Sequence, residues 1–167
     1  MTDPLSVHVL LKALLSGLLI YAAIQDLTRL RIPNALSLCV LALFPAYALS
    51  VPGGFPWVSA LLIASSLLVL GVIGFSQGWV GGGDVKLLSA TALWAGPDRL
   101  LDFLFITALA GGVLAVALMA YTRLVGYRTG FGVVAPNTVA PNTGKLPYGV
   151  AIAVGGIAAL SIIPALG

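Results

Sequence analysis

Hydrophobic residues occur along the chain in six long runs that are apolar on every side. Most of these runs have about the 20 residues that a membrane-spanning helix needs. Strands of a membrane barrel would alternate polar and apolar positions, so the pattern predicts helices. Pro and Gly residues separate the runs, which cover Val7–Ile24, Ala35–Val51, Trp57–Phe75, Val85–Ala95, Leu100–Tyr121 and Tyr148–Leu166.

The predicted fold is an all-α membrane protein, a six-transmembrane-helix bundle that forms a single domain over residues 1–167. Its fourth helix is short, because at ~1.5 Å per residue the fourth run covers only about half of the hydrocarbon core. Either that helix begins earlier, among the preceding glycines, or its start is recessed in a cavity. We expect recession, with irregular backbone at Gly81–Gly83 lining a water-filled cleft beside Asp84.

The composition supports a membrane protein, since 60% of the residues are hydrophobic and only 8% are charged. Soluble domains carry roughly a quarter charged residues. The net charge of +3 is interpreted as a signal for topology, so we expect no nucleic-acid partner. Cys39 is the one cysteine of the chain, which excludes an internal disulfide and a Cys-based zinc site.

The basic residues orient the predicted bundle, because Lys and Arg are enriched on the cytoplasmic side of a membrane. Lys12 and Arg99 fall on one side of the six predicted spans. The other six bases fall together on the opposite side, which we therefore predict to be cytoplasmic, with both termini outside; they are Arg29, Arg31, Lys86, Arg123, Arg128 and Lys145.

Two of the five acidic residues, Asp26 and Asp84, fall at the predicted cytoplasmic end of the bundle. Taken singly, Asp26 could be a solvated flank and Asp84 a helix N-cap. A carboxylate at membrane depth is costly, however, so an acid there indicates function. The remaining acids lie on the other side and are interpreted as boundary charges; they are Asp3, Asp98 and Asp102.

Two neighbouring carboxylates share a proton, because both cannot ionise cheaply. The ionised group can activate a water while the protonated group protonates a carbonyl or an amine. Such a pair can hydrolyse a peptide bond without a metal or another cofactor, which suits a chain with one His and one Cys. His8 lies on the opposite side and is interpreted as an interfacial residue.

Gly81, Gly82 and Gly83 precede Asp84 and remove side chains beside it, so that a substrate backbone can approach. We therefore predict that these glycines bind substrate. Lys86 is a further candidate for the substrate site. It either neutralises the carboxylate pair or extends to the membrane interface, and the sequence leaves both roles open.

The segment GGGDVKLLSATALWAG (Gly81–Gly96) resembles the second-aspartate motif of the type IV prepilin peptidases, which are GxGD-type intramembrane aspartic proteases. DLTRLRIPNALSL (Asp26–Leu38) resembles the first-aspartate motif of that family, and KLPYGVAIAVGG (Lys145–Gly156) resembles its final helix. The resemblance implies that Asp26 and Asp84 are the catalytic pair of an endopeptidase. By the same resemblance, the enzyme lies in the inner membrane and removes a short basic leader from prepilins at the cytoplasmic face.

Larger members of that family carry a zinc-binding cytoplasmic insertion and methylate the new N-terminus. This chain has no such insertion and resembles the short form associated with tight-adherence (Flp-type) pili, so methyltransferase activity is not expected. The archaeal preflagellin peptidases are a similar alternative. Because leaders are basic, we expect Arg29, Arg31 and Arg128 to contact lipid headgroups instead of the leader.

A small proton-coupled transporter or channel is the alternative from a different class. It would need polar residues along the middle of several spans, whereas both acids lie at one end. A direct repeat, VAPNT at Val134–Thr138 and Val139–Thr143, lies in the predicted connection Thr122–Pro147. We interpret the repeat as a neutral loop duplication.

Overall fold

The computed structural model describes residues 4–51, 53–129 and 146–161, and these residues contain helices and no strand. Three of the helices are long and apolar enough to cross a membrane, and the other two are shorter apolar helices. The predicted all-α fold is therefore confirmed. The helices are α1 (Pro4–Arg29), α2 (Asn34–Ser50), α3 (Trp57–Ser76), α4 (Gly82–Thr129) and α5 (Tyr148–Ser161).

The prediction of six separate spans is not confirmed, because the described residues form five helical elements. The fourth and fifth apolar runs belong to one element, α4, which is interrupted only at Gly96, with φ 65° and ψ −177°. A glycine adopts this conformation without a Cβ penalty. Pro97 follows, and it cannot donate a backbone hydrogen bond to continue the preceding helix. The short fourth helix is therefore the first part of α4.

The break at Gly96 folds α4 back on itself, so that its two parts pass α5 in opposite directions. Before the break, Thr91 lies against Gly156 of α5. After the break, Arg99 donates a hydrogen bond to the Ala159 carbonyl. Further on, Gly111 lies against Tyr148, the first residue of α5. As a result, α5 is packed between the two parts of α4.

Helix α1 extends beyond the predicted run and includes Asp26, which is therefore not a flank. The buried side chains of α1 recur every three or four residues, which is the spacing of one helix face. Leu15, Leu19 and Ala22 lie on this face, and Asp26 continues it with 5% of its surface exposed. The helical repeat therefore carries the carboxylate into the bundle.

The end of the bundle opposite Asp26 is filled with stacked aromatic rings, and we call it the aromatic end. The Tyr47 ring stacks on Trp94 at 4.6 Å and meets the edge of Phe55 at 5.6 Å. The indole N–H of Trp94 donates to the Val40 carbonyl over 2.9 Å. Predicted interfacial His8 stacks on Tyr47 at 5.2 Å. These contacts join α1, α2 and α4.

Several predicted features fall outside the described residues. The VAPNT repeat and Lys145 do so, as does the last part of the run Tyr148–Leu166. The predicted connection Thr122–Pro147 begins as helix, because α4 continues to Thr129.

Candidate active site

Asp26 and Asp84 line the same cavity, which has a volume of about 510 Å³. We call it the carboxylate cavity. Five pieces of the chain surround it: the end of α1 with the turn after it, the end of α3, the loop before α4, the first turn of α4, and the start of α5 with the residues before it. The two carboxylates lie 58 positions apart in sequence, and the fold brings them to one cavity.

The carboxylate of Asp26 is held by the backbone at the start of α5. The Gly149 N–H donates a hydrogen bond to its Oδ2 over 2.7 Å, and this bond is buried. Gly149 is the second residue of α5, where backbone N–H groups have no partner within the helix and the helix dipole is positive. The N-terminus of α5 is therefore a stabilising environment for a negative charge on Asp26.

Gly149 also lies too close to Asp26 for any other residue to fit. A Cβ atom built on Gly149 would lie 2.9 Å from Oδ2 of Asp26 and 3.0 Å from Cδ1 of Ile32. Ordinary contacts to a Cβ atom are 3.4–4 Å. A side chain there would displace the carboxylate. Sequence reasoning did not identify Gly149 as part of the site.

Asp84 is the third residue of α4 and is half-buried, so it is not the N-cap. Its carboxylate accepts a hydrogen bond from the backbone N–H of Gly81, the residue before the helix. This arrangement follows the capping box, in which the third helical residue reaches back to the N-cap N–H. Both carboxylates are thus held by backbone N–H groups at helix N-termini.

The glycine segment differs from the prediction of irregular backbone, because Gly82 and Gly83 are the first two residues of α4. A Cβ on Gly83 would lie 3.1 Å from Cβ of Ile32, and a Cβ on Gly82 would lie 3.2 Å from the Phe75 ring. All three glycines line the carboxylate cavity. Their lack of side chains lets the first turn of α4 approach α3 and the turn after α1.

The turn between α1 and α2 forms one wall of the cavity. It contains Leu30, whose φ of 49° is rare for a residue with a side chain. The N–H of Leu30 donates to the carbonyl of Asp26 over 2.9 Å, and α1 ends at Arg29, three residues after the carboxylate. Arg31 also lines the cavity, a placement that the sequence did not predict.

Lys86 does not line the carboxylate cavity, and its assignment to the substrate site stays a prediction. Its Nζ donates to Oδ1 of Asn34 over 2.9 Å, at the start of α2. The reason is helical geometry: two residues after Asp84, the side chain projects about 200° further around α4. Lys86 therefore links α4 to α2.

Within the described parts of the chain, no three His, Cys, Asp or Glu residues are grouped so that they could hold a metal ion. His8 lies at the aromatic end, away from both carboxylates. The chemistry that the cavity offers is that of two neighbouring carboxyl groups. One can accept a proton from water while the other donates one.

One of the three comparisons with known proteins gave a match. The family model of the type IV leader peptidase family matches residues 13–116, which include both aspartates and more than half of the chain. No match was found among curated proteins or among solved structures. Helix α5, which supplies the Gly149 N–H, lies beyond the matched residues. On the strength of the family match, this chain belongs to the type IV leader peptidase family.

Proposed function

We propose that this protein is a membrane-embedded aspartic endopeptidase that removes the short basic leader from prepilins. One observation carries the proposal: Asp26 and Asp84 line one cavity, and each accepts a hydrogen bond from a backbone N–H. Membership of a leader peptidase family supports peptide hydrolysis. The cavity also has room for a water and a segment of extended peptide.

In the proposed reaction, the ionised carboxyl group takes a proton from a water, whose oxygen attacks the carbonyl carbon of the scissile peptide bond. The protonated carboxyl group gives its proton to the carbonyl oxygen, forming a tetrahedral intermediate. As the C–N bond breaks, the carboxyl group that took the water proton gives it to the leaving nitrogen. The other carboxylate takes a proton from a hydroxyl of the intermediate, which becomes the carboxylic acid product. The pair then holds one proton, as it did at the start.

Substrate access is proposed from the side of the membrane that carries most of the bases, which we take to be the cytoplasm. Trp79, in the loop before α4, lines the cavity and is 80% exposed, and the less exposed Tyr148, at the start of α5, lines it too. A leader segment that emerges from the bilayer would pass these aromatic side chains. We propose that the glycine segment Gly81–Gly83 and the two aromatic side chains contact the substrate together with the carboxylates.

We further propose that the enzyme is a peptidase without methyltransferase activity, that it lies in the inner membrane, and that its substrates are Flp-type prepilins. These points rest on the resemblance of the motifs to the short family form. Arg29 and Arg31 remain assigned to topology and lipid headgroups, although Arg31 lines the cavity. Arg31→Ala should therefore leave KM for a leader peptide unchanged, as should the control Arg29→Ala. A selective rise in KM for Arg31→Ala would overturn the assignment.

The test is leader removal from candidate Flp-type prepilins co-expressed with the protein, followed by mass spectrometry of the product. We expect a product shortened at its N-terminus with a free, unmethylated α-amino group. We also expect EDTA to leave the rate unchanged, and the rate to follow two apparent pKa values that belong to the pair. Activity that is lost in EDTA and restored by a divalent ion would contradict the proposed mechanism.

A further inference from the structure

A second cavity, of about 660 Å³, lies on the face of α4 that points away from Asp84. Helices α2 and α3 form its two walls and the first part of α4 forms its floor, and we call it the α2–α3 groove. Both walls pack on α4 and make little contact with each other in the described residues. The groove therefore opens sideways, toward the lipid of a surrounding membrane.

Apart from the exposed Ser65 of α3, the polar residues of the groove lie in two layers at the end nearer the carboxylate cavity. The first layer is the hydrogen bond from Lys86 to Asn34. Three residues further along each helix, about 4.5 Å deeper, the second layer contains Ser37 on α2 and Ser89 on α4. All four residues line the groove.

The hydroxyl groups of Ser37 and Ser89 have no hydrogen-bond partner in the structure, although the two residues are only 8% and 6% exposed. Leaving a buried polar group without a partner costs about 1–3 kcal/mol. The buried Thr107 hydroxyl also lacks a partner, whereas the buried Thr91 hydroxyl donates to a carbonyl of its own helix. Exposed or partly buried hydroxyls do the same; they are those of Ser16, Thr28, Ser50, Ser66 and Ser76.

The rest of the groove is apolar except for Ser65. Leu38 and Leu41 of α2 face it from one side, and Leu61 and Leu68 of α3 face it from the other. These four side chains are between 40% and 65% exposed. From the membrane surface inward, the groove thus presents a cation, two hydroxyl donors and then a hydrocarbon surface.

We propose that the α2–α3 groove binds one glycerophospholipid, with its phosphate at Lys86, its ester carbonyls at Ser37 and Ser89, and an acyl chain between α2 and α3. The order of groups along such a lipid, phosphate, ester carbonyl and hydrocarbon, is the order found along the groove. An ammonium group has three N–H donors, and Asn34 accepts one of them. Rotation about χ1 to another staggered rotamer turns each serine hydroxyl toward an ester carbonyl.

This site is independent of the peptidase activity, and its proposed consequence is structural. A bound lipid would fill the gap between α2 and α3 and supply the acceptors that the two serines lack. It would also fix the N-terminus of α2 beside α4 through Lys86 and Asn34.

The test is native mass spectrometry of the full-length protein in detergent, titrated with dioleoyl phosphatidylglycerol and with its diether analogue, which lacks the ester carbonyls. We expect the protein to retain one diester lipid about tenfold more tightly than the diether lipid, as two hydrogen bonds predict. The double variant Ser37→Ala, Ser89→Ala should bind both lipids equally. Lys86→Gln should weaken the binding of both lipids and leave the preference for the diester lipid unchanged.

The matched control is Ser16→Ala with Ser66→Ala, which removes two hydroxyls that are bonded within their own helices and should keep the tenfold preference. Equal binding of both lipids by the wild-type protein would overturn the proposal without any variant. So would a preference that survives in the Ser37, Ser89 variant. Displacement of the lipid by an apolar helical peptide, dependent on the same serines, would assign the groove to a protein segment instead.

Discussion

At one end of the bundle, Asp26 and Asp84 face an open cavity and are held by backbone N–H groups. At the other end, Tyr47 and Trp94 stack with neighbouring rings and close the space between α1, α2 and α4. The first end has its polar groups positioned by helix starts and by glycines, and the second end has its helices joined by side-chain packing. The difference indicates that the candidate catalytic groups lie at one end of the bundle, whereas much of the packing that stabilises the fold lies at the other end. Substitutions at either end test this separation of catalysis from stability.

The strongest test of this division is removal of a carboxylate. Asp26→Asn and Asp84→Asn should each reduce leader cleavage by about 10³-fold or more, because neither group can perform both proton transfers alone. The stability of the protein should change little, since the amide has nearly the same shape. Asp102→Asn is the matched control, because Asp102 is an exposed acid on the other part of α4. Full activity in either variant of the pair would refute the assignment.

The next largest effect is expected where the backbone contacts a carboxylate. Gly149→Ala adds a methyl group 2.9 Å from the Asp26 oxygen, and we expect kcat to fall about 10- to 100-fold with a small change in KM, because the carboxylate is displaced. The control is Gly112→Ala, since a Cβ at Gly112 meets no atom within 4 Å. Steady-state kinetics on a leader peptide give kcat and KM for both variants. Equal activities of the two variants would show that the position of Asp26 does not depend on α5.

A substitution at the aromatic end should give the opposite result. Trp94→Ala removes a fully buried ring and a hydrogen bond to Val40, and should lower the free energy of unfolding by about 3–5 kcal/mol. The kcat of the folded enzyme should stay nearly unchanged. Thermal unfolding in detergent measures the first effect, with the exposed Trp57→Ala as control. A fall in kcat as large as that of Gly149→Ala would show that the two ends are coupled.

The smallest effect on activity is expected from two cysteine substitutions that report which side of the membrane each end of the bundle faces. One lies at the start of α3 and the other in the loop after α3. In a Cys39→Ala background, Trp79→Cys lies at the cavity end and Trp57→Cys at the other, and both side chains are exposed. In inside-out vesicles, a membrane-impermeant thiol reagent should label the cysteine at position 79 and leave the one at position 57 unlabelled. The reverse pattern would place the carboxylate cavity outside the cytoplasm.

The sequence predicted the helical fold because the apolar runs are long and unbroken by charges. It also selected the two carboxylates that share a cavity, because few acids occur in such a chain and two fell on one predicted side. The count of six separate spans is not confirmed, because the glycine before a proline that was taken to separate two helices lies inside one helical element. In the structure, Gly96 and Pro97 form a kink inside α4.

The finer features of the site depend on contacts that a one-dimensional pattern does not contain. Gly149 lies 123 positions from Asp26, so no local spacing relates the N–H donor to its acceptor. The signal that was available is a glycine directly after a proline and a tyrosine, at the start of an apolar run. Lys86 was placed in the site because it is near Asp84 in sequence, whereas the helical repeat directs it to Asn34.

Because both carboxylates accept hydrogen bonds from main-chain N–H groups, few amino-acid substitutions can remove these donors. A substitution can delete a side-chain donor, but most substitutions at Gly81 and Gly149 leave the N–H in place. Loss of function at these positions must then come from added bulk. In a saturation screen, even alanine should be rejected at both, with proline the one replacement that also removes the donor.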